Sequence, residues 1–417
     1  MELVKEKYKQ TEIGLIPSDW DYLEFGKLIS NLCYGPRFSS KDYSPNGNVK
    51  TIRGTDINSL GNILYNQVPI AKLPYQLVCE HKLQDGDLVM ITTADCGLTG
   101  IYIDDGFNYI ASAYAVRITL NADAYPLFFK YVFQTNFAKK QIELYIRKGT
   151  LGNLPGSDIY KFKFPIPTSL QEQTEIATAL TNADEWIGSI EKLLLKKGKI
   201  KQAALQDLFQ AKPHWNEVSI ASLSKIFTKQ TGFDYSSYIK PSLIKKKDNT
   251  SIPFIQNKDF KNKWINFDTD YYIPIEVATK FPKILLNEKC LLISISGSVG
   301  NVGLFNNKKT AFVGGAVAVA KFKNIDELDW VMYYLLSDKG QNILLSNVKS
   351  GSHQNLILDD IRKIKIPIPS IEEQKKLTSI LTDMDIEIEQ LETKLQKAKK
   401  VKQGMMQELL TGKTRLV

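Results

Sequence analysis

The stretch FPIPTSLQEQ, from Phe164 to Gln173, decides the fold, because the chain repeats it as IPIPSIEEQ from Ile366 to Gln374. Each copy places two prolines in a segment that cannot join a helix, since proline fixes φ and holds the preceding residue extended. A serine follows each time, with a glutamate three residues later, and this spacing predicts a capping box at a helix start. The two pairs are Ser169 with Glu172 and Ser370 with Glu373.

The repetition extends well upstream of the prolines. GTLGNLPGSDIYKFKFPIP, from Gly149, aligns in register with GSHQNLILDDIRKIKIPIP, from Gly351. TIRGTDI from Thr51 resembles FIQNKDF from Phe254, LVMITTADCGLTGIY resembles LLISISGSVGNVGLF, and SDWDYLEFGKL resembles PHWNEVSIASL. The chain is therefore a tandem duplication of a unit of about two hundred residues.

Each repeat joins two unlike parts. Short apolar runs such as GDLVMITT and EKCLLISISG, separated by Gly, Asn, Asp and Pro, predict short strands in a mixed α/β domain. One long helix follows in each repeat. The predicted class is α+β, with two tandem-repeated mixed domains separated by two long helices that form an antiparallel coiled coil. We expect domain 1 over residues 1–165, helical spacer 1 over 166–212, domain 2 over 213–367 and helical spacer 2 over 368–417.

Both predicted helices have a heptad seam, with apolar residues at alternating steps of four and three. The seam positions are Ile176, Leu180, Ala183, Ile187, Ile190 and Leu194 in the first helix, and Leu377, Leu381, Met384, Ile388, Leu391 and Leu395 in the second. The first seam is interrupted near Gly198.

The charges of the helices predict how they pair. Residues 170–212 contain six acids and six lysines, and residues 371–413 contain eight of each. In both helices acids dominate the N-terminal half and lysines the C-terminal half, so antiparallel pairing brings opposite charges together. The net charge of +9 consequently lies outside the helices, which favours a polyanion clamp. A helix of about 35 residues is about 50 Å long, and one turn of B-DNA is about 34–36 Å, so two domains on such a strut match two DNA segments about a turn apart.

Several classes of protein are disfavoured. No run of 18 apolar residues occurs, and the first 14 residues lack the apolar region of a secretory signal, so a cytoplasmic protein without a membrane partner is expected. The four cysteines form no CxxC pair, and we expect free thiols. The three histidines lie far apart, so no metal site is predicted. The tetrapeptide Asp/Asn-Pro-Pro-Tyr/Phe of amino-methyltransferases is absent, and no catalytic residue is predicted.

The chain resembles the specificity subunit of type I restriction–modification systems over essentially its whole length. The resemblance rests on the two Ile-Pro-Ile-Pro segments with their Glu-Gln pairs, on TEIGLIPSDW near the N-terminus and on LLTGKTRL near the C-terminus. It implies a non-catalytic, sequence-specific DNA-recognition subunit in which each target-recognition domain binds one half of a bipartite, asymmetric site. It also implies that the helices set the spacer and dock two methyltransferase subunits.

The resemblance implies cofactors for the partners and none for this chain. The methyltransferase subunits would use S-adenosylmethionine to methylate adenine N6. Two restriction and translocase subunits, which would use ATP and magnesium, can join them on double-stranded DNA.

Loop residues with donors and acceptors are the candidates for contacting DNA, since lysines and amides suit phosphates and Arg, Asn and Gln suit base edges. In the first domain they are Tyr34, Arg37, Arg53, Arg147, Lys148, Thr150 and Asn153. In the second they are Lys229, Gln256, Asn257, Lys258, Lys349, Ser352, His353 and Gln354.

Two other functions stay open on the sequence alone. One is a non-enzymatic coiled-coil scaffold that joins two binding modules for a partner other than DNA, which would show no salt-sensitive DNA affinity. The other is an enzyme with an unrecognised site, which would modify or cut DNA alone.

Overall fold

The structure is a computed structural model that describes residues 8–210, 212–261, 263–306, 309–346 and 355–416. Its contacts divide into two compact units. The first comprises Met1–Glu191 with Thr393–Val417, and the second comprises Lys192–Glu392. Each unit thus holds one mixed domain, part of one long helix and the complementary part of the other.

The first unit is built on a four-stranded antiparallel sheet, in the order Ile29–Tyr34, Ala115–Leu120, Leu88–Ile91, Thr99–Ile101. A three-stranded sheet accompanies it, in the order Ile70–Ala71, Val49–Ile52, Tyr109–Ala111, and its last two strands are parallel. Two-stranded pairs join Tyr8–Thr11 to Gly14–Pro17 and Trp20–Glu24 to Lys163–Pro167. The helices of this domain are Tyr75–His81, Pro126–Val132, Asn136–Tyr145 and Gly156–Ile159.

The second unit repeats this plan. Its antiparallel sheet has the order Ser224–Lys229, Val317–Phe322, Cys290–Ser294, Val302–Phe305. Its second sheet has the order Tyr272–Pro274, Ser251–Ile255, Ala311–Val313, Leu285–Leu286, again with one parallel pair. Two-stranded pairs join Phe260–Lys261 to Trp264–Ile265 and Asn216–Ser219 to Lys365–Ile368. Its helices are Ile220–Leu223, Gly232–Asp234, Ile275–Ala278, Leu328–Leu336, Asp338–Leu345 and Leu358–Lys363.

The two long helices are Leu170–Leu208 and Ile371–Leu409, so each begins one residue after its predicted capping serine. The Ser370 hydroxyl accepts a hydrogen bond from the Glu373 N–H at 3.2 Å, which is one half of a capping box. The glutamate carboxylates have other partners. Glu172 accepts from the buried indole of Trp20 at 3.2 Å, and Glu373 from Trp215 at 3.1 Å.

The proline segments are strands rather than linkers, and the glutamine after each glutamate fastens the helix to them. Gln173 donates to the Pro167 carbonyl at 3.0 Å, and Gln374 donates to the Pro369 carbonyl at 2.9 Å. Both glutamines are buried. In each repeat the glutamate therefore attaches the helix start to an upstream tryptophan, and the glutamine attaches it to the proline segment.

Ion pairs within each unit confirm the antiparallel pairing of the helices. In the first unit Asp184 pairs with Lys402 at 2.6 Å, and Glu191 pairs with Lys399 at 2.7 Å. In the second unit the pairs follow the same reversed order, and they join Lys197 to Glu387, Lys201 to Asp385 and Lys212 to Glu373. Acids from one N-terminal half meet lysines from the other C-terminal half, as the charge distribution predicts.

The seam residues lie buried or half-buried in both helices. Ile176 and Leu180 join the core of the first unit together with Leu409 and Leu410. Leu381 joins the core of the second unit with Leu205 and Phe209. Gly198 is exposed within an uninterrupted helix. No helix among the described residues is long and apolar enough to cross a membrane.

Candidate nucleic-acid interface

The same four-residue turn ends the central strand of the second sheet in both units. In the first unit the Asp56 carboxylate accepts the backbone N–H of Arg53 at 2.9 Å. In the second unit Asp259 accepts the N–H of Gln256 at 2.8 Å. Both aspartates are buried, and each holds the backbone of the residue at the start of its turn. The sequence predicted Arg53 and Gln256 as DNA contacts without the aspartates that hold them.

The Arg53 side chain is also bound to its own turn. Its Nε donates to Asp56 Oδ2 and its Nη2 to Asp56 Oδ1, each at 3.0 Å. The hydrogen bonds to Asp56 raise the pKa of the guanidinium above its ordinary value. The side chain remains 44% exposed, so a permanently charged and oriented guanidinium faces outward.

Arg53 lines an open cleft of about 870 Å³ in the first unit. Several loops that follow strands of the two sheets converge there. Its lining includes Arg37, Tyr43, Thr55, Thr93, Tyr114 and Leu151. Arg37 is exposed, and the cleft therefore presents two guanidinium groups beside hydroxyl groups and aromatic rings.

A left-handed turn borders the cleft. Ala94 has φ +66°, and its counterpart in the second unit is Gly297, with φ +77°. A side chain in this region of backbone conformation is strained, whereas glycine adopts it freely. The Asn257 amide donates to the Ser296 carbonyl at 2.8 Å. Its nitrogen lies only 2.6 Å from the position that a Cβ on Gly297 would take, so the two would overlap. In the first unit the residue equivalent to Asn257 is Gly54, which leaves room for the methyl group of Ala94.

The predicted loop around Lys148 and Thr150 is a short hairpin. Arg147 and Asn153 exchange backbone hydrogen bonds of 2.8 and 3.1 Å, which leaves the exposed Lys148 and Thr150 between them. The Ala94 N–H donates to the Gly152 carbonyl at 3.0 Å, so this loop is attached to the left-handed turn. In the second unit Asn355 bridges to Ser296. The predicted contacts Lys349, Ser352, His353 and Gln354 lie outside the described residues.

The other candidates have mixed placements. The Tyr34 hydroxyl accepts the Gly156 N–H at 2.7 Å and so fastens a helix to the sheet edge. Lys229 is exposed and lines a cleft of about 620 Å³ in the second unit with Ser296, Gly315, Asn355 and Arg362. Lys258 pairs with Asp270, which raises the pKa of the lysine. Asn257 holds the neighbouring turn, and this structural role differs from the predicted contact with DNA.

Some side chains with suitable chemistry were not predicted, and two of them, Tyr114 and Arg362, line the clefts. Tyr114 is 65% exposed between two buried strands, and Arg362 donates to the Phe227 carbonyl beside the second cleft. The lysines at positions 245–247 form an exposed basic run that is visible in the sequence as KKK. The signal for Tyr114 is an aromatic residue in the tight turn between Ala111 and Ala115.

The arrangement suits binding rather than catalysis. Lysines and arginines meet phosphate oxygens, and amides and guanidinium groups match base edges. Within the described ranges, no group of three or more His, Cys, Asp or Glu side chains could hold a metal ion.

Comparison with known proteins defines the class. The family described as "Type I restriction modification DNA specificity domain" matches residues 17–197 and again residues 214–400. The type I restriction enzyme MjaIX specificity subunit of Methanocaldococcus jannaschii is 24% identical over 98% of this chain and 97% of its own length. The MjaVIII specificity subunit of the same organism is 26% identical over 70% of each chain.

A solved structure has the same fold. The S subunit of a type I restriction–modification system from M. genitalium superposes with a TM-score of 0.59 at 15% identity, covering 97% of this chain and 98% of its own. The chain belongs to the family of type I restriction–modification DNA specificity domains, of which it carries two copies. It is a DNA-specificity subunit and not itself an enzyme.

Proposed function

We propose that this chain recognises a bipartite, asymmetric sequence in double-stranded DNA, with one half-site bound by residues 1–165 and the other by residues 213–367. The observation that carries the proposal is the repeated aspartate-held turn. It presents Arg53 in one unit and Gln256 in the other, from the same position of the same fold. Two copies of the same aspartate-held turn, each carrying a different side chain, suit two half-sites of different sequence.

The paired helices would set the unread spacer between the half-sites and dock two methyltransferase subunits. Helical ion pairs in each unit support a stiff connection. Large apolar side chains on the helices remain exposed, and they would be covered by a partner. They include Trp186, Leu195, Ile386 and Val401.

The chemistry would belong to the partners. Methyltransferase subunits would bind S-adenosylmethionine and methylate adenine N6, and restriction subunits would use ATP and magnesium. Such a complex acts on cellular or incoming DNA, which implies a cytoplasmic location for this chain.

The first test is a map of N6-methyladenine. The chain is co-expressed with its cognate methyltransferase subunit in a host stripped of its own methylases, and the modified sites are sequenced. We expect a bipartite motif with a fixed spacer that is absent when this chain is omitted. A stable complex without any methylated motif would contradict the proposal.

Salt dependence separates DNA binding from a scaffold role. Affinity that rests on several phosphate contacts falls by orders of magnitude between 50 and 200 mM salt, roughly 10³- to 10⁵-fold for 6–10 contacts. An affinity for DNA that is weak and independent of salt would favour the scaffold.

The length of the helices tests their role as a spacer. Removal of about one heptad from one helix, with the domains intact, is expected to abolish binding or change the spacer by a few base pairs. An unchanged spacer in the methylation map would exclude this role.

A further inference from the structure

We propose that Arg53 and Gln256 occupy equivalent places in the two half-sites and discriminate different bases, guanine by Arg53 and adenine by Gln256. Asp56 and Asp259 act as the positioning residues. This inference rests on the proposed function, because it assigns base identities within the bipartite site.

The two side chains leave the fold at matching points. Ile52, just before Arg53, pairs with Ala111 in a parallel register, and Ile255, just before Gln256, pairs with Val313 in the same way. Each backbone N–H is then held by a buried aspartate at nearly the same distance. The two Cα atoms are therefore placed alike relative to their own sheets.

The guanidinium of Arg53 has one edge occupied and one edge free. Asp56 accepts from Nε and from one N–H of Nη2, as the two 3.0 Å bonds require. Three N–H groups remain, two on Nη1 and one on Nη2, and they form a second fork. A fork of two parallel donors matches the O6 and N7 acceptors of guanine in the major groove. Because Asp56 orients the side chain before DNA binds, less rotamer entropy is lost on binding.

Gln256 offers a different pattern from the equivalent turn. Its amide has one acceptor and a two-proton donor, which match the N6 donor and the N7 acceptor of adenine. The Gln256 amide carries no positive charge. Asp259 therefore needs only to hold the backbone of Gln256, whereas Asp56 also binds the side chain of Arg53. The half-buried side chain and the exposed Lys258 two residues later leave this edge of the second unit open to a duplex.

The direct test exchanges the two side chains in the full complex with its methyltransferase subunits. R53Q is expected to replace one guanine by adenine in one half of the methylated motif. Q256R is expected to replace one adenine by guanine in the other half. Each variant leaves the opposite half unchanged, and the preference for the original base falls roughly 5- to 150-fold. Each variant carries the residue that the other unit already holds at this place, so the backbone bond to the aspartate is retained.

A second test uses the unaltered protein and modified DNA. Replacing the assigned guanine by 7-deazaguanine removes the N7 acceptor and keeps base pairing. Binding of the wild-type complex should weaken, whereas 7-deazaguanine in the spacer should have no effect. Equal affinity for both duplexes would overturn the assignment to Arg53, even if R53Q failed to fold.

The positioning role of Asp56 has its own signature. D56N keeps an oxygen for the backbone N–H but cannot accept from both Nε and Nη2. We expect lower discrimination at the guanine alone, while the other positions of the motif keep their preferences. In the double variant D56N/R53Q the adenine preference should persist, because the glutamine introduced by R53Q does not use the carboxylate pair. D259N is the matched control and should leave this half-site intact.

The outcomes separate the two proposals. If the wild type produces no bipartite motif, the proposed function fails. If it produces one but R53Q and Q256R leave both half-sites unchanged, the function stands and the assignment of bases is wrong.

Discussion

The two units share a backbone plan but use partly different side chains to join the mixed domain to the long helices. Each contains a buried tyrosine on a domain helix that donates to an aspartate on a long helix. Tyr131 donates to Asp184 at 2.9 Å in the first unit, and Tyr333 donates to Asp385 at 2.7 Å in the second. Each aspartate also pairs with a lysine of the other long helix, Lys402 or Lys201. This network joins a domain to both helices within its own unit.

A second buried lysine comes from a different element in each unit. In the first unit Lys130, beside Tyr131, donates to Asn62 at 2.6 Å. The second unit has Met332 at the equivalent place, and Lys263 instead pairs with Asp385 at 2.6 Å and contacts Tyr333. Burial lowers the pKa of both lysines. Both units therefore contain a buried lysine beside the tyrosine, but the lysine comes from a different element in each. Asp385 forms ion pairs with two lysines directly.

The largest effect is expected when this compensation is removed. D385N leaves Lys201 and Lys263 without a carboxylate, and Lys263 is only 4% exposed. An uncompensated buried charge costs about 3–5 kcal/mol. We expect D385N to lower the free energy of local unfolding of the second unit by this amount, measured by amide hydrogen exchange. D184N should cost less, because it removes the carboxylate partner of one lysine, Lys402, instead of two.

Asp383 supplies the matched control for that experiment, since it lies on the same helix and is exposed. D383N should change the unfolding free energy by only a few tenths of a kcal/mol, about the range of surface substitutions. Equal losses in D385N and D383N would show that the network contributes little.

The left-handed turns differ by a reciprocal exchange of size, with Gly54 and Ala94 in one unit and Asn257 and Gly297 in the other. G297A adds a Cβ at 2.6 Å from the Asn257 amide and forces a side chain into a left-handed backbone. The backbone term is about 1–2 kcal/mol, and the displaced hydrogen bond adds about 1 kcal/mol. We expect a loss of about 2–3 kcal/mol in urea unfolding of the full chain.

The double variant N257G/G297A recreates the arrangement of the first unit. Because N257G alone already lacks the hydrogen bond to Ser296, adding G297A to it should cost only the backbone part, about 1–2 kcal/mol. If G297A cost as much in the N257G background as in the wild type, the Asn257 amide would not be the obstacle.

The sequence predicts the features that repeat locally. The duplication, the helix starts, the heptad seam and the charge asymmetry all follow from patterns within a few turns of one helix, and they suffice for the antiparallel pairing. The partners of Glu172 were not predictable in this way. Trp20 lies 152 positions away and Arg415 lies 243 away, and the Ser-x-x-Glu spacing assigned the carboxylate to a cap instead.

The contacts with DNA stay predictions, and local sequence patterns indicate only some of the features of the candidate interface. Side-chain chemistry identified Arg53, Gln256 and the loop from Arg147, because donors in loops are visible in a sequence. The repeated aspartate in TIRGTDI and FIQNKDF was visible too, but its role depends on a hydrogen bond across the turn. Asn257 has the chemistry of a DNA contact, and only its bond to Ser296 reveals that it supports the backbone.

The junctions at the helix starts offer a smaller test of the same comparison. Glu172 is buried and bound by Arg415 and Trp20, whereas Glu373 is half-exposed and bound by Lys212, Trp215 and His214. R415A should therefore cost about 1–3 kcal/mol, since a buried carboxylate loses its charged donor. K212A should cost about 0–1 kcal/mol, as more exposed pairs do. Thermal unfolding of the two variants compares them, and a larger loss in K212A would contradict this ranking.

The smallest expected effect is a dependence on pH that separates the junctions. Hydrogen bonds from Lys212, and then from Trp215 and His214, hold the pKa of Glu373 below its ordinary value. A carboxyl whose pKa is lower in the folded protein contributes stability above its unfolded pKa, about 4.3 for glutamate. That contribution is lost as the pH falls through the lower folded value. The stability difference between wild type and K212A should thus be constant above about pH 5 and shrink below pH 4.

In the first unit Arg415 instead lowers the pKa of Asp19, whose unfolded value is about 3.9. The difference between wild type and R415A should accordingly begin to shrink at a slightly lower pH, which urea unfolding at successive pH values can resolve. Coincident pH profiles for the two variants would contradict the assignment of the two profiles to Asp19 and Glu373.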